Sequence, residues 1–560
     1  MNTRYAERIY LVGPTGSGKS TVAAALARLL RWQLIDLDAQ VEQTAGHSIA
    51  EIFAAEGEAG FREREHQALL AASTARNAVV ATGGGIGERD ENRRIMAETG
   101  WQVFLDASPE ICLARLRAEL SAEHVASRRP MLASGDPLDR MRALYERRLP
   151  WYQVADYTFA TTALDAADVA HALVGRLITR GLLASDGASE YEMTIRSVRG
   201  KYPALVAWGG LSDLPERLRS LHLPGRLHLV TDAHVNAIFG KAIHDLLEQA
   251  GYDVRLMIVP AGEGSKSRQY LDAIHDWLAD ARAERNEGVI ALGGGVIGDL
   301  AGFAAATYLR GMPLIHVPTS LLAQVDASIG GKVAIDHPRG KNLIGAFYPP
   351  RLVLTDPAVL LSLPERSLRE GWAEVIKHGL ALDASYFARI ENHAGELERL
   401  DPRALTDIIA GSVSIKGAVV SADEQESDDG RRVLLNYGHT LGHAIETVTG
   451  YGRWLHGEAV AMGMTFAARL GVRHGVTPAD VPARQEALLA RFGLPTQLGG
   501  LDVDELVAAA LWDKKVRGGR VRWILPTAVG AATVLDDVPE STVRAVLLEL
   551  GAAAGSPSTA

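Results

Sequence analysis

The chain has 560 residues, which at about 100–200 residues per domain predicts three to four compact units, each able to bury its own core. Its composition, 47% hydrophobic and 22% charged, is that of an ordinary globular protein, and with no apolar run of 18 residues it predicts no membrane span. A formal charge of −10 disfavours nucleic acid as the main partner, while leaving room for local basic pockets that take anionic metabolites.

Cys112 is the one cysteine, so no disulfide can form within the chain. A strand pattern starts by Ile9 with no basic, apolar and small-residue leader before it, which predicts a cytoplasmic protein. From Ile9 to about Leu177, short apolar strands (IYLVG, QLID, AVVATGG, WQVFLD) alternate with helical stretches such as TVAAALARLL. That is the rhythm of a parallel sheet covered on both faces. Residues 181–192, GLLASDGASEYE, are small and polar and read as a linker. A second alternating region follows, with LHLVTD, DVRLMIVP, GVIALGG and LIHVPTS as its strands. Past Pro364 helical periodicity takes over, broken late by VRWILP and ATVLDD, and residues 546–560 are expected to be a disordered tail. The expected architecture is α/β, then α/β, then mostly α.

GPTGSGKS, Gly13 to Ser20, fits the phosphate-binding pattern GxxxxGK[ST] between an apolar strand and a helix. Backbone amides around Gly13, Gly16, Ser17, Gly18 and Thr21 would enclose ATP phosphates, Lys19 would reach the outer ones, and Ser20 would ligate Mg²⁺. The next strand ends in Asp36-Leu37-Asp38, and in an extended chain the two carboxylates would point apart. Asp36 would then hold Mg²⁺ through water, and Asp38 would accept a proton from the hydroxyl to be phosphorylated.

Together with SIAEIFAAEGEAGFRERE, the triple glycine 83–85, RRPML and ERRLPWY, these motifs resemble shikimate kinase over about 9–178. The resemblance implies a three-layer α/β domain and a shikimate site formed by Asp38, Arg62, Gly84 and Arg148, with the two arginines on the carboxylate. It also implies that Arg129, on a lid, meets ATP and stabilises the phosphoryl group in flight.

In the second region, GVIALGGGVIGDLAG (288–302) is a strand, a glycine loop and a helix start. Gly293, Gly295 and Gly298 formally fit GxGxxG, but Thr319 stands about 20 residues on, where a ribose-binding acid would be expected. A pyrophosphate cradle followed by Asp299 is the better reading. Farther on, AEVIKHG, LNYGHTLGHAIE and WLHGEAV carry Glu374, His439, His443 and His456. On a helix His439 and His443 share a face one turn apart, so with Glu374 and His456 they offer a His/His/Glu set of the catalytic zinc type.

These stretches, with PAGEGSKS, VPTSLLAQVDASIGGKVAID, GKNLIGAFYPP, DEQE and DKK, resemble 3-dehydroquinate synthase over roughly 195–545. The resemblance implies that Glu374, His439 and His456 hold Zn²⁺ or Co²⁺ and that His443 meets the substrate's phosphate end. NAD⁺ would lie against Asp232, Glu263, Lys266, Gly295, Val296, Ile297, Gly298, Asp299, Thr319, Ser320, Lys332 and Lys341. The substrate 3-deoxy-D-arabino-heptulosonate 7-phosphate would be surrounded by Asp326, Lys332, Asn342, Lys377, Lys416, Glu426, Arg432, Asn436 and His443. Lys341 would serve there as well, with Lys514 or Lys515 at the phosphate. Lys332, Lys377 and His443 would act in catalysis. Arg310 would reach a neighbouring subunit in a homodimer. SDDG inserts about two residues between Glu426 and Arg432, so Asp428 competes with Glu426 for its role.

The inferred chemistry is oxidation by NAD⁺, elimination of phosphate, re-reduction and ring closure, with no net redox. A basic pocket in an acidic chain suits a substrate carrying a carboxylate and a phosphate. The sequence thus predicts a two-enzyme fusion. The alternatives are a metal-dependent polyol dehydrogenase as the second half, or one half as an inactive regulatory module.

Overall fold

Five strands, β1 (Arg8–Val12), β2 (Gln33–Asp36), β3 (Ala78–Ala81), β4 (Trp101–Asp106) and β5 (Tyr157–Ala160), form an all-parallel sheet of order β2-β3-β1-β4-β5. In the computed structural model the described residues are 5–119, 136–162, 164–424, 431–512, 521–536 and 538–554. They form two compact units, 1–184 with 237–242, and 185–236 with 243–560.

In the first unit β1 and β3 are buried along their whole length, as central strands of a sheet covered on both faces must be. Tyr10, Val12, Leu37, Leu69, Val80 and Phe104 pack into one core. β1 has β3 on one side and β4 on the other, so the chain leaves it in opposite directions and a crevice opens at its carboxyl end. β5 is not among the four strands predicted: YTFA is an edge strand with alternate positions exposed.

The Asp36-Leu37-Asp38 stretch departs from the extended geometry expected of it. Helix Leu37–Ala45 begins at once, because the Asp36 carboxylate accepts the backbone N–H groups of Asp38 and Ala39 and caps it. The two carboxylates are therefore separated by a strand-to-helix turn and not by strand alternation.

The second unit opens with an antiparallel pair, β6 (Tyr191–Ser197) and β7 (Gly200–Val206). β8 (Arg226–Asp232), β9 (Asp253–Val259), β10 (Gly288–Gly293) and β11 (Leu314–Pro318) follow. Next come the hairpin β12 (Lys332–His337) and β13 (Gly340–Phe347), then β14 (Leu352–Thr355). The main sheet has the order β6-β7-β14-β11-β10-β8-β9 and is parallel except at β6. From Glu365 on the unit is helical, with one hairpin of β15 (Trp523–Ala528) and β16 (Ala531–Leu535).

Helix Pro402–Ala422 is long and apolar enough to cross a membrane by composition, yet most of it is buried inside the unit. Residues 546–553 correct the expected tail. Helix Glu540–Glu549 buries Val543, Val546 and Leu547, and Ala553 bridges to Asp502. The apolar i, i+3, i+4 spacing there outweighs the small-residue composition that begins after Leu550. Residues 555–560 lie outside those described.

Candidate functional site

The phosphate loop leaves β1 at the carboxyl edge of the first sheet. Gly16 (φ 84°) is left-handed and presses on Cys112: a Cβ there would lie 2.6 Å from its carbonyl oxygen. Helix Lys19–Leu30 follows Gly18 with no side-chain cap, so its first amides are presented by the backbone alone. Buried Lys19 donates to the carbonyls of Gly13 and Pro14 at 2.9 and 2.8 Å. Ser20 Oγ donates to Asp36 Oδ2 at 2.6 Å, which unites the two predicted magnesium positions. Ser17 is buried beneath the loop and Thr21 lies on the exposed side of the helix start.

Beside the loop a cavity is lined by Thr15, Asp38, Arg62, Glu65, Gly84 and Arg148, with Phe53, Phe61 and Tyr152 as its apolar wall. All four predicted shikimate positions meet there. Arg62 comes from helix Ile49–Ala72 and Arg148 from helix Pro137–Tyr152. The triple glycine lets the backbone pass under them: a Cβ on Gly85 would lie 2.2 Å from the Arg62 guanidinium. Arg62 donates to Glu65 at 2.8 Å. Burial raises the Glu65 carboxyl above its ordinary range, against the opposing Arg62 charge. Arg129 lies outside the described residues.

In the second unit three neighbouring strand ends carry the predicted dinucleotide residues: Asp232 closes β8, Gly293 closes β10, and Thr319 and Ser320 follow β11. Helix Gly295–Thr307 starts at Gly294 without a side-chain cap and carries Gly295, Val296, Ile297, Gly298 and Asp299 in its opening turns. Lys266 pairs with Asp299 at 2.5 Å and donates to Asn342. Burial pushes the Asp299 carboxyl up to about 6 while Lys266 opposes it. Lys341 lies 3.8 Å from Glu263 and 3.5 Å from Glu446. Lys332 opens β12 on an exposed position.

The Glu374, His439 and His456 ligand atoms lie within 4.8 Å of one another. Glu374 sits inside helix Glu365–Leu382, whereas His439 and His456 each open a helix, His439–Val448 and His456–Arg473. The hydrogen bonds explain the aim of the rings. His439 Nδ1 donates to the Tyr437 carbonyl at 3.2 Å and His456 Nδ1 to Glu446 at 3.4 Å. Both Nε2 atoms then face Glu374 Oε1, at 3.7 and 3.8 Å. Glu374 is fully buried and its oxygens have no hydrogen bond of acceptable geometry, although the Lys377 ammonium pairs with it. Two aimed imidazoles and a buried carboxylate fit a Zn²⁺ or Co²⁺ ion.

His443, Glu446 and His456 form a second grouping of the same tightness. Its Glu446 is already engaged with His456 and Lys341, so it suits an orienting role better than a ligand role. Burial lowers His439 well below its ordinary value, Lys377 adding to the effect. Burial also works to lower His456, but Glu446 and Glu374 outweigh it and raise the pKa. Glu446 itself is held down at about 2, its contact with His456 overcoming burial.

Around this centre Lys416, from helix Pro402–Ala422, meets Asp326 at 2.5 Å. Burial tends to raise Asp326, but Lys416 and Lys377 outweigh it and hold the carboxyl far below its usual range. Arg432 is buried and donates to the carbonyls of Asp423 and Glu424, and Asn436 ends the same short turn. Arg310 is not brought to this cluster; it is exposed in a turn where Leu309 and Arg310 both have left-handed backbones. Glu426, Asp428, Lys514 and Lys515 lie outside the described residues. Glu446, Glu65 and Glu88 are neighbours of the predicted site residues that sequence reasoning passed over. Glu446 carried a readable signal, standing three residues after His443 and seven after His439 on one helix face.

A phosphate-loop kinase fold, followed by an α/β and helical enzyme whose centre holds metal-type ligands, is the class that fold and site define. The chain belongs to the 3-dehydroquinate synthase family. The family models for 3-dehydroquinate synthase match at 256–370 (N-terminal) and 371–516 (C-terminal), and that for shikimate kinase at 15–177. A 3-dehydroquinate synthase of Synechocystis sp. is 46% identical over 349 residues, 62% of this chain and 96% of that protein. Among solved structures, 2-epi-5-epi-valiolone synthase from Streptomyces hygroscopicus subsp. jinggangensis, with NAD⁺ and Zn²⁺ bound, is 28% identical with a TM-score of 0.58, covering 62% of this chain and 96% of that one. 2-Deoxy-scyllo-inosose synthase, complexed with carbaglucose-6-phosphate, NAD⁺ and Co²⁺, is 27% identical with a TM-score of 0.57, covering 64% and 100%.

Proposed function

We propose that the first unit transfers the terminal phosphate of ATP to the 3-hydroxyl of shikimate, and that the second converts 3-deoxy-D-arabino-heptulosonate 7-phosphate to 3-dehydroquinate with release of phosphate. The observation that carries the first half is the meeting of Asp38, Arg62, Gly84 and Arg148 in one cavity beside the phosphate loop. The second half rests on the Glu374, His439 and His456 trio, linked to the proposed dinucleotide residues through Lys341, which lies 3.5 Å from Glu446 and 3.8 Å from Glu263.

In the kinase, the loop amides and Lys19 would take the phosphates, and Ser20 and Asp36 would hold Mg²⁺, Asp36 through water. Magnesium, when bound, offsets charge on the phosphates. Asp38 receives the hydroxyl proton. Arg62 and Arg148 fix the substrate carboxylate by charge-assisted hydrogen bonds, and Arg129 meets the transferring group.

In the synthase, Glu374, His439 and His456 would hold the metal, and Asp232, Glu263, Lys266, the 295–299 turn, Thr319, Ser320 and Lys341 would line NAD⁺. The two groups together supply polarisation of a substrate hydroxyl and reversible hydride transfer. The chain's own residues bind and orient. Lys416, Arg432, Asn436, Asn342 and Lys332 would surround the anionic substrate, while Lys377 and His443 would move the proton. The cofactors named for the two solved relatives, NAD⁺ with Zn²⁺ and NAD⁺ with Co²⁺, support this assignment. Burial keeps His439 neutral, as a ligand must be, and Asp326 ionised against Lys416 keeps that lysine in place. The protein would act in the cytoplasm as a homodimer through its second unit, with Arg310 contributed across the interface.

Two assays on the intact chain test this. Shikimate-dependent ATP turnover should vanish in Lys19→Ala while phosphate release from the heptulosonate phosphate persists. That release should proceed without build-up of NADH and should stop with a chelator while excess Mg²⁺ maintains the kinase. Accumulating NADH would instead indicate a polyol dehydrogenase.

A further inference from the structure

We propose that Glu88 is a positioning residue of the kinase unit, holding from behind the two guanidinium groups that take the substrate carboxylate; this rests on the shikimate-site reading above. Glu88 ends the short turn Ile86–Glu88, directly after the triple glycine. Its Oε1 accepts from Arg148 Nε at 2.8 Å, and Arg148 NH2 lies at the same distance. Arg147 NH2 donates to the same oxygen at 2.8 Å, and Arg62 NH2 stands 3.9 Å from it. One carboxylate oxygen therefore faces three guanidinium groups drawn from two helices.

The placement of the arginine nitrogens separates a supporting carboxylate from a competing one. Arg62 and Arg148 line the cavity and Glu88 does not. The Nε and NH2 edge of Arg148 is turned to Glu88, whereas its NH1 is the atom near Gly84, 3.6 Å from where a Cβ of that residue would stand. NH1 thus lies on the side of Gly84, which lines the cavity together with Arg148. Among the described residues Glu88 is the carboxylate within ion-pair distance of Arg148, while Arg62 also has Glu65 and Glu58. Burial tends to raise the Glu88 carboxyl, but Arg148 and Arg62 outweigh it, so it stays ionised at neutral pH. An arginine side chain has several soft torsions, and a fork fixed at one edge loses fewer of them when a ligand arrives at the other.

The test compares Glu88→Ala and Glu88→Gln with the wild-type full chain, using shikimate and its methyl ester as substrates. Glu88→Ala should raise the KM for shikimate about tenfold or more, with kcat within about threefold and the KM for ATP unchanged. Glu88→Gln keeps the acceptor oxygen and should recover most of the loss. With the ester, which offers the arginines no carboxylate, wild type and Glu88→Ala should agree within about twofold. An unchanged KM for the acid in Glu88→Ala overturns the proposal, and a lowered one makes Glu88 a competitor for the arginines. Should Glu88→Ala fail to fold, Glu88→Leu, close in volume and without an acceptor oxygen, takes its place: a KM for the acid raised with the ester unaffected supports the role, and any other pattern rejects it. Wild type without shikimate-dependent turnover would instead refute the site reading itself.

Discussion

His316 lies in the middle of β11, buried, with its ring 3.5 Å from the space a Cβ on Gly298 would take. Burial alone lowers its pKa to about 4 from 6.5. The sign follows from proton counts. Between pH 6.5 and 4 the unfolded chain binds a proton that the folded chain does not, so this histidine's contribution is complete above 6.5 and is lost as pH falls towards 4. At about 1.4 kcal/mol per pKa unit the loss is roughly 3 kcal/mol. His316→Leu, close in volume, should cost under about 1.5 kcal/mol at pH 7 yet remove most of that acid sensitivity. Unfolding at pH 7 and pH 4.5 in both proteins checks this; parallel losses would show that other groups carry the acid response. His316 was invisible as a special residue in the sequence, because a histidine within an apolar strand reads the same whether it is satisfied or desolvated.

Helix His439–Val448 and helix His456–Arg473 set the distance between two of the proposed ligands, and glycines set the distance between the helices. A Cβ on Gly463 would stand 2.0 Å from the carbonyl oxygen of Gly438, whose left-handed backbone (φ 81°) starts the first helix one residue before His439. Backbone cannot yield as a side-chain tip can. Gly463→Ala should therefore push the helices apart, costing about 1–3 kcal/mol of stability. It should also weaken Zn²⁺ or Co²⁺ binding at least about tenfold, although residue 463 is two helical turns from His456. Metal titration of the purified protein reads the second effect, and normal affinity in a stable variant would detach the helix spacing from the site. The sequence showed both helices and the histidine periodicity within LNYGHTLGHAIE. It did not show that AMGM contains the spacer, since a glycine inside a helix reads only as a mild propensity loss of about 1 kcal/mol.

At the scale of the whole molecule, two compact units share one polypeptide, and each carries a site built from its own residues. Calorimetry should accordingly show two unfolding transitions. A non-hydrolysable ATP analogue with Mg²⁺ at about a hundred times its Kd should raise only one of them, by roughly 5–10 °C, whereas NAD⁺ should raise only the other. A chelator in excess Mg²⁺ should lower that second transition alone. A single transition shifted by every ligand would mean that the units unfold as one.

Legible in the sequence alone were the phosphate loop and the paired histidines, because each of these is built from residues close together along the chain. A phosphate loop needs eight successive positions, and a helix places His439 and His443 on one face by periodicity alone. The sequence also showed the central strands of both sheets, such as β1 and β10, which are continuous apolar runs, and missed the half-exposed edge β5. Only the tertiary structure decided which imidazole nitrogen faces Glu374, since Tyr437 and Glu446 hold the other nitrogen of each ring. It likewise decided that Asp36 ends its strand by capping a helix, and that Glu88 stands behind Arg62 and Arg148. Local pattern fixes what a residue is able to do. Packing fixes the direction in which it does it, through contacts that run from two positions along the chain, as at Asp36 and Asp38, to 60, as at Glu88 and Arg148.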